Sequence, residues 1–165
     1  MKTNWVIVIL IIVFFSVLYA VNFYGKNVPK LPLANTKLYN EDSTEFLITA
    51  LKNQVVVISF FQTWCGDCRA EVKELANLQE AVGGSEKLKV YLITDEQEER
   101  LSVFRAATHA KFPILHTEIS MKNIGIRRFP TTYLLDKNGK IIDAKVEGIR
   151  WNTPEVQAEI NALNR

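Results

Sequence analysis

Apolar and polar positions change rhythm several times along this chain. From Trp5 to Tyr24 the run WVIVILIIVFFSVLYAVNFY carries no charge. Its twenty residues, at a rise of about 1.5 Å each, span roughly 30 Å, the hydrocarbon thickness of a bilayer. A transmembrane helix is therefore expected across residues 5–24, within an anchor segment 1–25. A cleavable signal peptide is the rival reading, because the run follows Lys2 and ends near Ala20. The length of the run favours the anchor, as does Leu18, which stands where a small residue is wanted before a cleavage site. Residues 26–40 contain Pro29, Pro32 and no acid, and read as a linker to a domain over 41–165.

Within the domain, STEFLITALK (43–52) has apolar positions at helical spacing behind a candidate cap, Ser43 or Thr44, and predicts a helix. QVVVISFF (54–61) is a continuous β-branched and aromatic run that predicts a strand buried on both faces. AEVKELANLQEAV (70–82) sets Val72, Leu75, Leu78 and Val82 on one helical face and stops at Gly83-Gly84. KLKVYLIT (87–94) predicts a second strand, 96–107 a further helix, FPILH (112–116) a short strand and ISMKNIGI (119–126) a short helical piece. TTYLLDKNGKIIDAKVEG (131–148) is a hairpin that turns at Asn138-Gly139. Thr153-Pro154-Glu155 opens a C-terminal helix, with threonine as cap and proline in the first turn. Strands alternating with helices, followed by a hairpin, imply an α/β fold with a central mixed sheet covered on both faces.

Charge narrows the partners. The chain of 165 residues has a formal charge of +2 and no dense basic run, which excludes nucleic acid as a partner class. From Asn40 onward 16 Lys/Arg face 18 Asp/Glu, so the domain is slightly acidic. Lys2 flanks one end of the apolar run, and Lys26, Lys30 and Lys37 flank the other. Charge asymmetry alone would place the domain in the cytoplasm; the chemistry of the domain points to the opposite side.

That chemistry lies in ISFFQTWCGDCRA (58–70), which holds both cysteines of the chain, Cys65 and Cys68. They fall where a central strand ends and a helix begins. Unpaired N–H groups and the dipole at a helix N-terminus favour a thiolate. Cys65 is expected to be the exposed nucleophile and Cys68, one turn further in, its disulfide partner. Gly66 leaves room for a partner's backbone, and Trp64 offers an apolar surface beside the sulfur or fills the core. Zinc would need two further ligands, and His109 and His116 stand seven apart without a ligand pattern. Covalent haem would need histidine where Arg69 stands. A purely structural disulfide gains least from so short a loop. Redox exchange, with no metal and no cofactor, is the expectation.

SFFQTWCGDC after a buried strand, together with Phe129-Pro130-Thr131-Thr132 and YLLDKNGKI, resembles the thioredoxin superfamily over about residues 40–163. With the apolar N-terminus, it is similar to the TlpA/ResA-like membrane-anchored thiol-disulfide oxidoreductases. The resemblance implies a thioredoxin-like fold, Cys65 as nucleophile and Cys68 as resolving thiol of a redox-active disulfide. It also implies a cis Pro130 beside them, with the backbone at Phe129 or Thr131 pairing with substrate. Thioredoxins proper carry a buried acid where this chain has Ser59. Glu96, with Asp95 as its rival, matches the glutamate that such relatives hold near the disulfide. Asp67 stands where proline is common; its charge opposes a thiolate at Cys65 and favours a more reducing couple. The implied role is reduction of disulfides in extracytoplasmic protein substrates, as in cytochrome c maturation, with a membrane thiol donor restoring the dithiol. The domain would then lie on the periplasmic or cell-surface side. Two alternatives are a peroxiredoxin-like thiol peroxidase, against which Gln62 occupies the needed threonine position with Thr63 adjacent, and a non-catalytic tethered binding module.

Overall fold

The computed structural model describes residues 3–24, 30–31, 33, 36–47, 51–109 and 111–165; in its first helix, side chains are described for Trp5 and 7–18. The elements in chain order are α1 (Thr3–Tyr24), β1 (Leu38–Tyr39), β2 (Glu45–Phe46), β3 (Val56–Phe60), α2 (Gly66–Ala81) and β4 (Lys89–Thr94). They continue with α3 (Glu98–Thr108), β5 (Ile114–His116), β6 (Thr131–Leu135), β7 (Ile141–Val146) and α4 (Pro154–Leu163). The strands form one sheet in the order β2-β1-β5-β4-β3-β6-β7. β3, β4 and β5 run parallel, while β6 and β7 return antiparallel beside β3. This is a thioredoxin-like α/β fold with a central mixed sheet and flanking helices.

The apolar run at 54–61 becomes β3, fully buried as expected, because alternate residues serve two cores. Val55, Val57 and Phe61 pack with Val72, Leu75 and Leu78 of α2, Leu101 and Phe104 of α3 and Ile160 of α4. Val56, Ile58 and Phe60 face Leu33, Leu38, Leu51, Met121, Ile126 and Tyr133. The hairpin turns as expected, with Gly139 at φ +80° and Asp136 Oδ1 accepting the N–H groups of Asn138 and Lys140. Thr153 caps α4 through the N–H of Val156.

Three expectations need correction. No helix forms at its predicted start in 43–52: residues 45–46 are β2, paired antiparallel with β1, and 48–50 lie outside the described residues. Asp42 Oδ1 accepts the N–H and the hydroxyl of Thr44 at 3.0 and 2.6 Å, with Ser43 at φ 64° between them. This local side-chain turn competes with the helix and reverses the chain. The piece expected at 119–126 is a turn over 121–125 that ends at Gly125, φ +94°. Leu33 and Leu38, in the segment expected as a linker, are both buried in the core. Pro32 and residues 26–29, 34 and 35 of that segment lie outside the described residues. Among the described residues no helix is long and apolar enough to cross a membrane.

Candidate active site

β3 ends at Phe60, and five residues later Cys65 is the N-cap of α2, in extended conformation at φ −79°, ψ 113°. Its Sγ accepts the N–H of Cys68 at 3.1 Å, so the sulfur occupies the positive end of the helix. Cys65 and Cys68 are joined as a disulfide with their Cα atoms 5.3 Å apart. Cys65 is 7% exposed and Cys68 1%, so the expectation of an exposed Cys65 is corrected: both are buried, with Cys65 the less so. Gly66 and Asp67 are exposed in the first turn of α2. A Cβ at Gly66 would meet nothing within 4 Å, so no packing within the domain requires glycine there.

The loop before Cys65 is tied down on several sides. Glu96, 9% exposed, accepts the Thr63 N–H on Oε2 and the Thr63 hydroxyl on Oε1 at 3.0 Å, and pairs with Arg100 at 3.3 Å. Asp95 accepts Gln62 Nε2 at 2.6 Å and the Met121 N–H at 2.8 Å. Arg69 reaches back to the Thr63 carbonyl at 2.8 Å. The two acids weighed for a role near the disulfide are therefore both engaged in holding the loop that carries it.

The facing wall is the Phe129–Pro130 bond, which is cis. Thr131 is buried at the start of β6, opposite Phe60 and Val146, and its hydroxyl donates to the Arg128 carbonyl at 2.7 Å. The Pro130 carbonyl accepts the Glu147 N–H at 2.8 Å. Trp64 is 65% exposed, which rules out the core alternative, and it meets Phe129 edge-on with centroids 6.0 Å apart. This pair joins the cysteine loop to the proline loop. Beside it lies a groove of about 390 Å³ walled in part by Gln62, Asp95, Met121, Ile126 and Phe129.

Sequence reasoning missed Glu71. It sits on α2 one turn beyond Cys68, 1% exposed. Oε2 accepts the Ser59 hydroxyl at 2.6 Å, and Oε1 accepts Trp151 Nε1 at 2.9 Å and the Thr132 hydroxyl at 2.8 Å. Burial pushes its carboxyl up to about 7, and the three hydrogen bonds, first that of Ser59, pull the other way. The buried acid that Ser59 does not supply is thus supplied by the helix, with Ser59 as its partner. The signal was available: Cys68, Glu71, Val72, Leu75 and Leu78 share one helical face, so an acid interrupts an apolar stripe.

A family model described as Redoxin matches residues 25–160. The chain belongs to the redoxin family. The redoxin is 32% identical over 103 residues to the thioredoxin-like protein YneN of Bacillus subtilis, covering 58% of this chain and 58% of that protein. It is 29% identical over 96 residues to the thiol-disulfide oxidoreductase ResA of Bacillus cereus, covering 56% and 55%. It thus spans a little over half the length of these curated relatives. Among solved structures, the thioredoxin domain of a thiol-disulfide oxidoreductase from Bacteroides vulgatus superimposes with a TM-score of 0.62 at 17% identity, covering 78% of this chain and 92% of that one. The expected place in the thioredoxin superfamily, on its TlpA/ResA-like side, is borne out for this redoxin.

Proposed function

We propose that this protein is a thiol-disulfide oxidoreductase that reduces disulfides in protein substrates through the Cys65–Cys68 couple. The observation that carries the reading is the asymmetric disulfide itself: an outer sulfur at a helix N-terminus, and an inner one on the buried face that also holds Glu71. In the dithiol form, Cys65 as thiolate attacks one sulfur of the substrate disulfide; a mixed disulfide forms and the other substrate sulfur leaves as a thiolate. The Cys68 thiol then gives up its proton, attacks the Cys65 sulfur and releases the second substrate thiolate. Two electrons pass from the cysteine pair to the substrate, and the two substrate thiolates take up two protons. Glu71 in its ionised form is the proton acceptor within one helical turn of Cys68. Trp64 and Phe129 offer the docking surface for the substrate chain.

The peroxidase alternative finds no support at the loop, where Glu96 holds the Thr63 hydroxyl and Asp95 holds the Gln62 amide. Residues 5–24 are proposed as the membrane anchor on the uncharged apolar run of the sequence and the family resemblance, with the described side chains of α1, Trp5 and 7–18, exposed. An extracytoplasmic domain, a membrane thiol donor and a role in cytochrome c maturation are proposed on the family resemblance. Exchange with a disulfide-bonded protein substrate tests the central reading. Cys65→Ser should abolish it, and Cys68→Ser should trap the mixed disulfide; a wild-type phenotype in cells carrying Cys65→Ser would leave the binding-module reading in its place. With Asp67 opposing the thiolate, the midpoint potential should fall nearer roughly −270 than −120 mV. A membrane-impermeant thiol probe applied to intact cells tests the side.

A further inference from the structure

Three groups hold the Glu71 carboxylate, and they differ in kind. Ser59 and Thr132 present hydroxyls, each able to donate one hydrogen bond and also to accept. The indole N–H of Trp151 can only donate. The ionised carboxylate can receive all three. When the acid takes a proton, one hydroxyl can turn round to accept it, but the indole cannot. Oε1, which faces Trp151 Nε1 at 2.9 Å, is therefore favoured as the carbonyl oxygen of the protonated acid, the stronger acceptor of the two. The proton is left to Oε2, which has Ser59 Oγ at 2.6 Å and Thr132 Oγ1 at 3.0 Å.

Trp151 is itself held. It is fully buried in the segment before α4, and Lys145 of β7 places its ammonium 4.1 Å from the ring centroid. The same Nζ donates to the Arg150 carbonyl at 2.6 Å, fixing the cation against the segment that carries the indole. Lys145 lies directly across from Thr132 in the β6–β7 register, so its stem rises on the face that carries Glu71. Among the described residues no cation forms an ion pair with Glu71. Lys145 favours the charged form of Glu71 by charge alone, without contact.

We propose that Trp151, clamped from outside by Lys145, is the positioning residue that keeps Oε1 of Glu71 an acceptor and directs the proton to Oε2, toward Ser59. The bearing on catalysis rests on the role given to Glu71 above. The proton placement is argued from the oxidised protein, the form in which these distances are seen. The polar and charged groups around the site are Cys68 on α2, Ser59 on β3, Thr132 on β6, Lys145 on β7 and Trp151 before α4. Glu74, one turn along α2, is 3.4 Å from the Asn152 N–H, and Asp143 lies 3.9 Å from Lys145 Nζ.

The test uses the full oxidised chain in detergent micelles, without substrate. It follows the Trp151 indole N–H and the Glu71 side-chain carboxyl by NMR from pH 4 to 9, with the carboxyl assigned by its loss in Glu71→Gln. The indole proton should stay hydrogen-bonded at both ends of the range while its chemical shift follows the carboxyl titration. Trp151→Phe should raise the carboxyl midpoint by about one to two pH units, roughly ten- to a hundredfold in proton affinity, because the charged form loses a donor. Lys145→Gln should raise it by a few tenths, and this variant removes no buried group. A purely structural role would lower the melting temperature and leave the midpoint in place. An indole bond broken at low pH would put the proton on Oε1 and overturn the proposal. So would an unmoved midpoint in Lys145→Gln together with an indole resonance indifferent to pH. Failure of disulfide exchange in a protein that shows the expected titration would remove the oxidoreductase reading and leave this one standing.

Discussion

Two glutamates flank the disulfide, and their surroundings divide the work between them. Glu96 lies at the end of β4, with a backbone N–H, a hydroxyl and the Arg100 guanidinium as partners. These three bonds make its carboxyl a firm anchor for the Thr63 loop. Glu71 lies deeper, with three neutral donors and no ion-pair partner among the described residues, and burial raises it to about 7. Near neutrality it can hold or release a proton; a side chain spent on geometry cannot do that as well. Residue type was the same at both positions, and at Glu71 deeper burial is the chief cause of the raised value.

Removing the acid should give the largest effect. Glu71 has a native value raised above its ordinary 4.5 to about 7. Its contribution to stability is full below pH 4.5 and is lost as pH rises through about 7. Over that window the wild type should lose roughly 3 kcal/mol relative to Glu71→Gln, since each tenfold difference in proton affinity between the folded and unfolded chain is worth about 1.4 kcal/mol. Denaturant titrations at pH 4, 6 and 8 measure this. Equal slopes for the two proteins would mean that the Glu71 carboxyl titrates alike in the folded and unfolded chain. Next in size is Glu96→Ala, which frees Thr63 and should cost about 2 kcal/mol. The same titrations should show a parallel offset with the acid-to-neutral fall intact. If that fall disappeared instead, the two glutamates would be coupled and the division of labour would be wrong.

Much of this arrangement was legible in the chain because the signals were local. The unbroken run of β3, the Asn138-Gly139 turn and the Thr153-Pro154 cap each act over a few residues, and each formed where expected. The cysteine pair at a strand-to-helix junction was legible for the same reason. β1 was not, since two residues cannot display a period. The helix expected at 43–52 failed because the carboxylate of Asp42 satisfies Thr44 locally and turns the chain before a helix can start. Glu71 was passed over because the acid was sought where Ser59 stands, although the polar break in the α2 stripe was on view. Its partners Ser59, Thr132 and Trp151 are 12, 61 and 80 positions away in sequence, so only folding assembles the cluster.

Smaller effects sharpen the contrast. Ser59→Ala removes a donor from the charged form of Glu71 and should carry the carboxyl midpoint further up, by about one pH unit, while the Glu96 limb is untouched. The readout is the midpoint of the pH-dependent stability; a downward move would mean that Ser59 chiefly accepts from the protonated acid.

The smallest effect is expected at Gly66, where both limbs meet at the first turn of α2. A methyl there meets no atom within 4 Å, so Gly66→Ala should leave stability unchanged or raise it by about 0.5 kcal/mol through the loss of unfolded-state entropy. The side-chain partners of both glutamates lie elsewhere, so the pH profile should match the wild type. Exchange with a bulky protein substrate is the one property that should suffer, by a few-fold, because the added methyl stands beside Cys65 on the side a partner's backbone approaches. Comparing rates for a folded protein disulfide and for a small disulfide such as oxidised glutathione separates the causes. A deficit confined to the protein substrate places Gly66 at the docking face, whereas an equal deficit for both would mean that the methyl disturbs the Cys65 sulfur itself.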